Sequence, residues 1–224
     1  MKDTLEVAPE VLIPAGNVRL HGNLEIPTEA RGIVVFAHGS GSSRHSPRNR
    51  FVASVLRAGG LGTLVLDLLS EDEEAVDLRT THLRFDIAFL AERVLYAIEW
   101  LTNNEETRDF EIGCFGSSTG AGAALVAAAE RPELVKAVVS RGGRPDLAGP
   151  ALHQVRAPTL LIVGGNDVPV IELNKQAMEQ MSAETKLEIV PSATHLFEEP
   201  GALEQVSQLA TQWFQKHADS SRRS

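Results

Sequence analysis

A serine between two glycines is the feature of this sequence best suited to chemistry. Ser118 has Gly116 two residues before it and Gly120 two residues after it, which is the pattern G-x-S-x-G. An apolar run precedes the serine and the small-residue run "GAGAALVAAA" follows it, so the segment predicts a strand, a tight turn and a helix. Such a turn exposes the hydroxyl and points the first helix amides at the group that it attacks. The pattern favours a nucleophilic serine; a turn of purely structural use is the alternative.

A base and an acid follow this serine along the chain. A serine hydroxyl needs an adjacent base, usually a histidine that is oriented by a carboxylate. Asp167 ends the segment "APTLLIVGGND", and His195 lies in "PSATHLFEEPG". The chain order Ser, Asp, His is the one found where such a serine occupies a strand-to-helix turn. Taken singly, Asp167 would suit a simple turn and His195 a structural or surface position, but together with Ser118 they favour catalysis.

The segment "HGSGSS" after the apolar run "GIVVFA" allows two other interpretations. Glycine-rich loops cradle phosphates, but this one lacks the lysine and the spacing of the known phosphate-binding motifs. A metal site formed by His38, His45, Asp67 and His195 is the second alternative, although no pair of them has the i, i+4 spacing of zinc hydrolases. We therefore expect His38 to support the loop from beneath and not to act in catalysis.

Two further residues of possible chemical interest lie near predicted strands. Arg141 directly follows the run "LVKAVVS", so its guanidinium is expected to reach the mouth of the site and bind an anionic group of a substrate. The alternative is an arginine paired with Asp146 or Glu133. Cys114 lies in the apolar run before Ser118 and is expected to pack in the core. As the only cysteine it forms no internal disulfide, so nothing indicates an oxidising compartment.

Alternating strands and helices are expected to position these residues. Most predicted strands are continuous apolar runs, which is typical of a parallel sheet covered by helices on both faces. The first two strands, at 11–14 and 18–26, are expected to form an antiparallel hairpin, and the acidic segment 70–77 a solvated loop. Further strands are predicted at 32–37, 61–67, before Ser118, and at 134–140, 157–167 and 186–190, with helices at 47–58, 83–101, 119–131, 170–181 and 202–217.

Composition and charge exclude several classes of protein. The chain has 224 residues, of which 43% are hydrophobic and 23% charged, and we expect a single domain over 1–224 with a frayed tail from about residue 219. The net charge of −9 disfavours nucleic-acid and anionic-membrane partners. No apolar run is long enough to span a membrane, and "MKDTLEVAPEVLIP" lacks the apolar core of a signal peptide. A cytoplasmic location is expected; the composition specifies no oligomeric state.

Four segments together resemble the α/β-hydrolase superfamily, and within it the dienelactone hydrolase-like branch: "VVFAHGSG", "FGSSTGAGAAL", "APTLLIVGGNDVPV" and "ATHLFEEPG". The resemblance covers nearly the whole chain. It implies the α/β-hydrolase fold, a mostly parallel twisted sheet with helices on both faces, an antiparallel N-terminal hairpin and little or no lid. It also implies that Ser118 is the nucleophile, Asp167 the orienting acid and His195 the general base, with an oxyanion hole made by the backbone amides of Ser40 and Thr119.

The nucleophile position departs from the family pattern. Dienelactone hydrolases proper carry cysteine where this chain has Ser118. The serine favours an ordinary hydrolase of carboxylic esters, thioesters or lactones, which acts on a small-molecule substrate through an acyl-enzyme and needs no cofactor. Two alternatives remain: a non-catalytic module of the same fold that binds a ligand or a partner, and an acyltransferase or amidase that uses the same three residues. The fold alone does not choose among them.

Overall fold

An eight-stranded sheet forms the centre of the protein. The computed structural model describes residues 9–219. Its strands are β1 (Glu10–Ala15), β2 (Val18–Glu25), β3 (Ile33–Ala37), β4 (Gly62–Leu66), β5 (Ile112–Ser117), β6 (Val135–Arg141), β7 (Thr159–Gly164) and β8 (Thr185–Val190). They lie in the order β1-β2-β4-β3-β5-β6-β7-β8 across the sheet. The pairs β1–β2 and β2–β4 are antiparallel, and the remaining pairs are parallel.

Helices cover both faces of this sheet. They are α1 (Pro47–Ala58), α2 (Glu71–Thr80), α3 (Ile87–Asn103), α4 (Thr119–Glu130), α5 (Val168–Glu179) and α6 (Ala202–His217). One hydrophobic core joins the sheet to buried residues of α3, α4 and α5, and the other joins it to buried residues of α1 and α6. The mostly parallel sheet, its N-terminal hairpin and the helices on both faces confirm the predicted fold class.

The burial of the strands explains why their sequences were so informative. Every residue of β3, β4, β5 and β7 is buried, so these strands need apolar or small side chains on both faces. β1 instead alternates between exposed and buried side chains toward its end, as a strand with one solvated face does. The sequence signals for the helices were also local, because they lie at the helix ends. Pro47 opens α1 and Gly59 follows its last residue, and the predicted bounds of α6 are those observed.

The acidic segment 70–77 is a correction, because it belongs to the helix α2 and is not a loop. The Ser70 side chain accepts a hydrogen bond from the Glu73 amide, and the Glu73 carboxylate accepts one from the Ser70 amide at 2.8 Å. This reciprocal capping box satisfies two amides at the helix start. Four acidic residues in the first turn also face the positive end of the helix dipole. The pattern S-x-x-E was a signal for this helix that the charge of the segment obscured.

Two connections carry short 3₁₀ helices that the sequence did not predict. Leu83–Phe85 forms one of them, so α3 begins at Ile87 with Asp86 as its N-cap and not at Leu83 as predicted. Pro145–Gln154 forms the other, interrupted at Gly149, which has a positive φ of 51°. The second lies between β6 and β7 and packs against α4 and α5.

Three expectations concern the ends of the chain or the membrane. None of the helices found between residues 9 and 219 combines the length and apolar character needed to cross a bilayer. The expected frayed tail falls largely on 220–224, which lie outside the described residues. The same is true of residues 1–8, on which the signal-peptide argument partly rests.

Candidate active site

Ser118 occupies the bend between β5 and α4. Its backbone has φ 51° and ψ −123°, a conformation that a non-glycine residue adopts only where the surroundings impose it. The close packing of the turn explains the flanking glycines. A side chain at Gly116 would collide with the backbone of Ala121, and one at Gly120 with the carbonyl of Ala37. The turn is therefore built so that the serine side chain leaves the sheet at the carboxyl ends of the strands.

Asp167 and His195 meet at the same edge of the sheet. Asp167 follows β7, His195 lies in the loop after β8, and the distance from His195 Nδ1 to Asp167 Oδ2 is 2.7 Å. A carboxylate only accepts hydrogen bonds, so Nδ1 carries a proton, and in the corresponding neutral tautomer Nε2 is the basic nitrogen. The Asp167 side chain is 14% exposed and that of His195 is 40% exposed. The acid is thus shielded while the base remains accessible.

Gly142 shows how His195 approaches the Ser118 turn. This glycine follows β6, has a positive φ of 50°, and a side chain placed on it would lie 3.0 Å from the His195 carbonyl oxygen and 3.6 Å from Nδ1. Its neighbour Arg141 is aligned with Ser117 on β5. The histidine therefore packs over the strand end next to the serine. In the described part of the chain no hydrogen bond joins Ser118 Oγ to His195 Nε2; such bonds commonly close only when substrate is bound.

The two amides expected to form the oxyanion hole have different surroundings. The Thr119 amide belongs to the first turn of α4, where amides have no partner within the helix. The Ser40 amide already donates a hydrogen bond to Thr119 Oγ1 at 3.0 Å. Ser40 Oγ donates to the Arg84 carbonyl at 3.1 Å and lies 3.0 Å from Thr119 Oγ1. The Ser40 amide is therefore already hydrogen-bonded to the Thr119 hydroxyl, and the sequence did not indicate this contact.

His38 lies beneath this loop, as expected. It is buried, its Nε2 accepts a hydrogen bond from the Leu68 amide at 3.1 Å, and its Nδ1 lies 2.9 Å from the Gly39 carbonyl oxygen. Burial lowers the pKa of His38, and the hydrogen bond to Gly39 opposes that shift. Both ring nitrogens are occupied, so the side chain ties the loop after β3 to the end of β4.

Three of the four residues of the alternative metal site, namely His38, Asp67 and His195, have separate hydrogen-bond partners. Asp67 accepts hydrogen bonds from the Arg44 amide at 2.7 Å and from Arg44 Nη1 at 2.9 Å. His38 is bound as described above, and Asp167 holds His195. Over residues 9–219, no three His, Cys, Asp or Glu side chains converge in a way that could hold a metal ion.

The structure also places Arg141 and Cys114, the two further residues that the sequence indicated. Cys114 is fully buried in the core as expected, and burial raises the pKa of its thiol to about 12. Arg141 is the last residue of β6, and no ion pair joins it to Asp146 or Glu133. Asp146 is bound instead by Arg144, through two hydrogen bonds of 2.8 and 2.7 Å. The pairing offered as the alternative for Arg141 is therefore wrong.

Comparisons with known proteins agree with this architecture. The model of the dienelactone hydrolase family matches residues 20–218. A crystal structure of dienelactone hydrolase from Anabaena variabilis is 61% identical, with a TM-score of 0.93 over 95% of this chain and 98% of that one. Est1E from Butyrivibrio proteoclasticus is 16% identical, with a TM-score of 0.77 over 92% of this chain and 98% of its own. At that identity the likeness concerns the fold alone.

Curated relatives from two strains of Mycobacterium tuberculosis are 56% identical over 208 residues, which is 93% of this chain and 46% of theirs. They are provisionally named phosphoribosyl transferases, and this chain spans about half of their length. The family model and the Anabaena structure each cover most of the chain, and they confirm the resemblance noted in the sequence. The chain belongs to the dienelactone hydrolase family.

Proposed function

We propose that this protein hydrolyses carboxylic esters, thioesters or lactones, with Ser118 as nucleophile, His195 as general base and Asp167 as orienting acid. The observation that carries the proposal is the 2.7 Å hydrogen bond between His195 and Asp167, at the sheet edge where Ser118 adopts a positive φ of 51°. Base, acid and serine are the three parts that an activated hydroxyl requires. Membership of a hydrolase family supports the same assignment.

The reaction would proceed through an acyl-enzyme. Ser118 Oγ attacks the carbonyl carbon while its proton passes to His195 Nε2, and the carbonyl oxygen becomes an oxyanion. The proton then moves from His195 to the departing alcohol or thiol, whose bond to carbon breaks. A water molecule, deprotonated by the same Nε2, releases the acid and restores the serine. Asp167 holds the imidazole in the required tautomer and stabilises its positive form.

The oxyanion would be held by the amides of Thr119 and Ser40. The Thr119 amide lies at the positive end of α4, which favours negative charge. The Ser40 amide now donates to Thr119 Oγ1, so the Thr119 hydroxyl has to rotate away before that amide binds the oxyanion. Ser40 Oγ is held by the Arg84 carbonyl, which keeps the loop in place during this exchange. We therefore propose that substrate binding completes the hole.

Labelling with a fluorophosphonate probe tests the nucleophile directly. We expect rapid modification confined to Ser118, lost in Ser118→Ala and His195→Ala and retained in the matched control His153→Ala, which removes an exposed histidine. A panel of ester, thioester and lactone substrates then identifies the preferred bond. No labelling of the folded protein would reject the hydrolase proposal and favour the non-catalytic binding module.

Acyl transfer is the second chemistry that the same residues support, since an alcohol or amine can replace water in the last step. Adding an alcohol during turnover separates the two, because a transferase forms the new ester in excess of the free acid. The Mycobacterium relatives are named for phosphoribosyl transfer. Since this chain matches only 46% of their length, we propose that such a reaction would belong to their unmatched portion.

A further inference from the structure

The strand β8 leaves one edge of the sheet without a neighbour. It is the last strand in the sheet order and pairs with β7 on one side, and no strand within residues 9–219 lies on its other side. The strand β1 is also an edge strand, but Pro14 interrupts it and has no amide hydrogen to donate. β8 runs from Thr185 to Val190 without proline or glycine. A continuous edge of this kind is able to pair with another strand.

The hydrogen bonds to β7 show which backbone groups of β8 face outward. The Thr159 amide donates to the Glu184 carbonyl at 2.8 Å, and the Gly165 amide donates to the Val190 carbonyl at 2.8 Å. Backbone groups alternate in direction along a strand, so every second residue between these two carbonyls directs its amide and carbonyl away from β7. These residues are Thr185, Leu187 and Ile189.

The charged residues of β8 are arranged symmetrically about Leu187. Lys186 precedes it and Glu188 follows it, and the distance from Lys186 Nζ to Glu188 Oε1 is 2.6 Å. The two side chains are 59% and 29% exposed, and they lie on the same face because they are two residues apart. A lysine on an edge strand usually disfavours pairing with another strand. Here a second β8 in antiparallel register places a glutamate opposite each lysine.

We propose that β8 pairs with β8 of a second copy of this chain, antiparallel and about a twofold axis through Leu187. Leu187 then forms a hydrogen-bonded pair with its counterpart, and Thr185 forms one with Ile189 of the second copy, which gives about six backbone hydrogen bonds in total. Lys186 lies opposite Glu188 of the second copy, a pair that stabilises adjacent strands. Ile189, which is 38% exposed, becomes covered by this pairing.

The symmetry of the pattern favours a second copy over a different partner. In a twofold contact every favourable pair occurs twice, and the alternation of Lys186 and Glu188 makes this strand complementary to itself. The contact leaves the proposed active site open, because Ser118 follows β5, which is three strands or about 14 Å away. The loop that carries His195 begins after Val190, outside the paired residues. The proposal therefore does not depend on the proposed hydrolase function.

Sedimentation of the full chain over a range of concentrations tests the proposal. We expect the wild type to form a dimer. Lys186→Glu and Glu188→Lys each place like charges opposite one another, twice in every dimer, and should raise the dissociation constant about tenfold or more. An equimolar mixture of the two variants should dimerise again, because every like pair becomes an opposite pair. The control Arg19→Glu changes an exposed charge on β2 and should leave the dissociation constant unaltered.

Hydrogen exchange measured by NMR tests the register of the contact. At concentrations where the wild type is dimeric, the outward amides of Thr185, Leu187 and Ile189 should exchange about tenfold or more slowly than in Lys186→Glu. A dimer without this protection, or one that neither charge variant weakens, would place the interface elsewhere and overturn the proposal. A wild type that stays monomeric at every concentration would also overturn it and would leave the edge to an extended segment of another protein.

Discussion

At the scale of single residues, the proposed chemistry depends on which nitrogen of His195 carries the proton. The hydrogen bond to Asp167 keeps that proton on Nδ1 and leaves Nε2 basic. The Asp167 side chain is 14% exposed against 40% for His195, so the orienting bond is protected from water while the base remains open to substrate. In the proposed mechanism the acid acts by holding a tautomer and by stabilising the imidazolium that would form during the reaction.

Asp167→Asn tests this role, because an amide keeps the shape of the carboxylate but can orient the wrong tautomer. We expect kcat to fall by about 10³- to 10⁴-fold, with little change in the free energy of unfolding. Ester hydrolysis and the rate of fluorophosphonate labelling should fall together. The control Asp72→Asn changes an exposed acid of α2 and should leave both rates unaltered. A loss of less than about tenfold in Asp167→Asn would contradict the assignment.

At the scale of elements, α2 is connected to the loop that carries Ser40. Asp77 in the last part of α2 is buried and accepts hydrogen bonds from the Leu83 amide at 2.8 Å and from the Arg84 amide at 3.2 Å. Its carboxylate also binds Arg84 Nε. The Arg84 carbonyl in turn accepts the hydrogen bond of Ser40 Oγ at 3.1 Å. The acidic helix that the sequence presented as a loop therefore supports the proposed oxyanion loop.

Asp77→Asn should destabilise the protein in a pH-dependent manner. Burial alone would raise the pKa of Asp77, but the hydrogen bonds from Arg84 and Leu83 outweigh it and lower that pKa. A lowered pKa in the folded state means that the ionised carboxylate stabilises the fold above its unfolded pKa of about 4, and that this stability is lost as the pH falls through the folded value. We expect Asp77→Asn to reduce the free energy of unfolding by about 2 kcal/mol at neutral pH.

Urea unfolding of Asp77→Asn and wild type at neutral and at acid pH measures this effect. The difference between the two proteins should shrink as Asp77 becomes protonated in the wild type. Asp109→Asn, at an exposed acid outside the helices, serves as the control and should show little difference at either pH. A constant difference at all pH values would mean that Asp77 acts through packing and not through its charge.

At the scale of the whole molecule, two cores on opposite faces of one sheet hold the strands in place. The first of them encloses Cys114, which is fully buried. Burial raises the pKa of this thiol to about 12, so little thiolate forms near neutral pH and reagents have no access to it. The only cysteine of the chain is therefore a reporter of opening of the sheet.

Cys114 should react with a thiol-specific disulfide reagent only when the protein unfolds. We expect the folded protein to react more slowly than the unfolded chain by about 10³-fold or more, since exposure of a central strand requires global opening. The absorbance of the released thiolate follows the reaction, and the same protein in concentrated guanidinium chloride supplies the reference rate. Reaction of the folded protein at the reference rate would show that β5 opens locally.

Local signals in the sequence were sufficient for most of the fold. The apolar runs predicted β3, β4, β5 and β7 because a strand buried on both faces favours apolar side chains along nearly its whole length. Gly116 and Gly120 predicted the turn at Ser118 because larger side chains would collide there. Local signals also misled, since the charge of 70–77 suggested a loop although Ser70 and Glu73 cap a helix.

By itself the sequence determined the order of the strands, the turn at Ser118 and the placement of Asp167 and His195 after successive strands. The tertiary structure alone decided which atoms are already occupied. The Ser40 amide donates a hydrogen bond to the Thr119 hydroxyl at 3.0 Å, and Asp146 forms an ion pair with Arg144. The Nε and Nη1 atoms of Arg141 are buried without a hydrogen-bond acceptor. Hydrogen-bond partners of this kind are far apart in the chain or compete for one acceptor, so they are settled by the packing of whole elements and not by local sequence preferences.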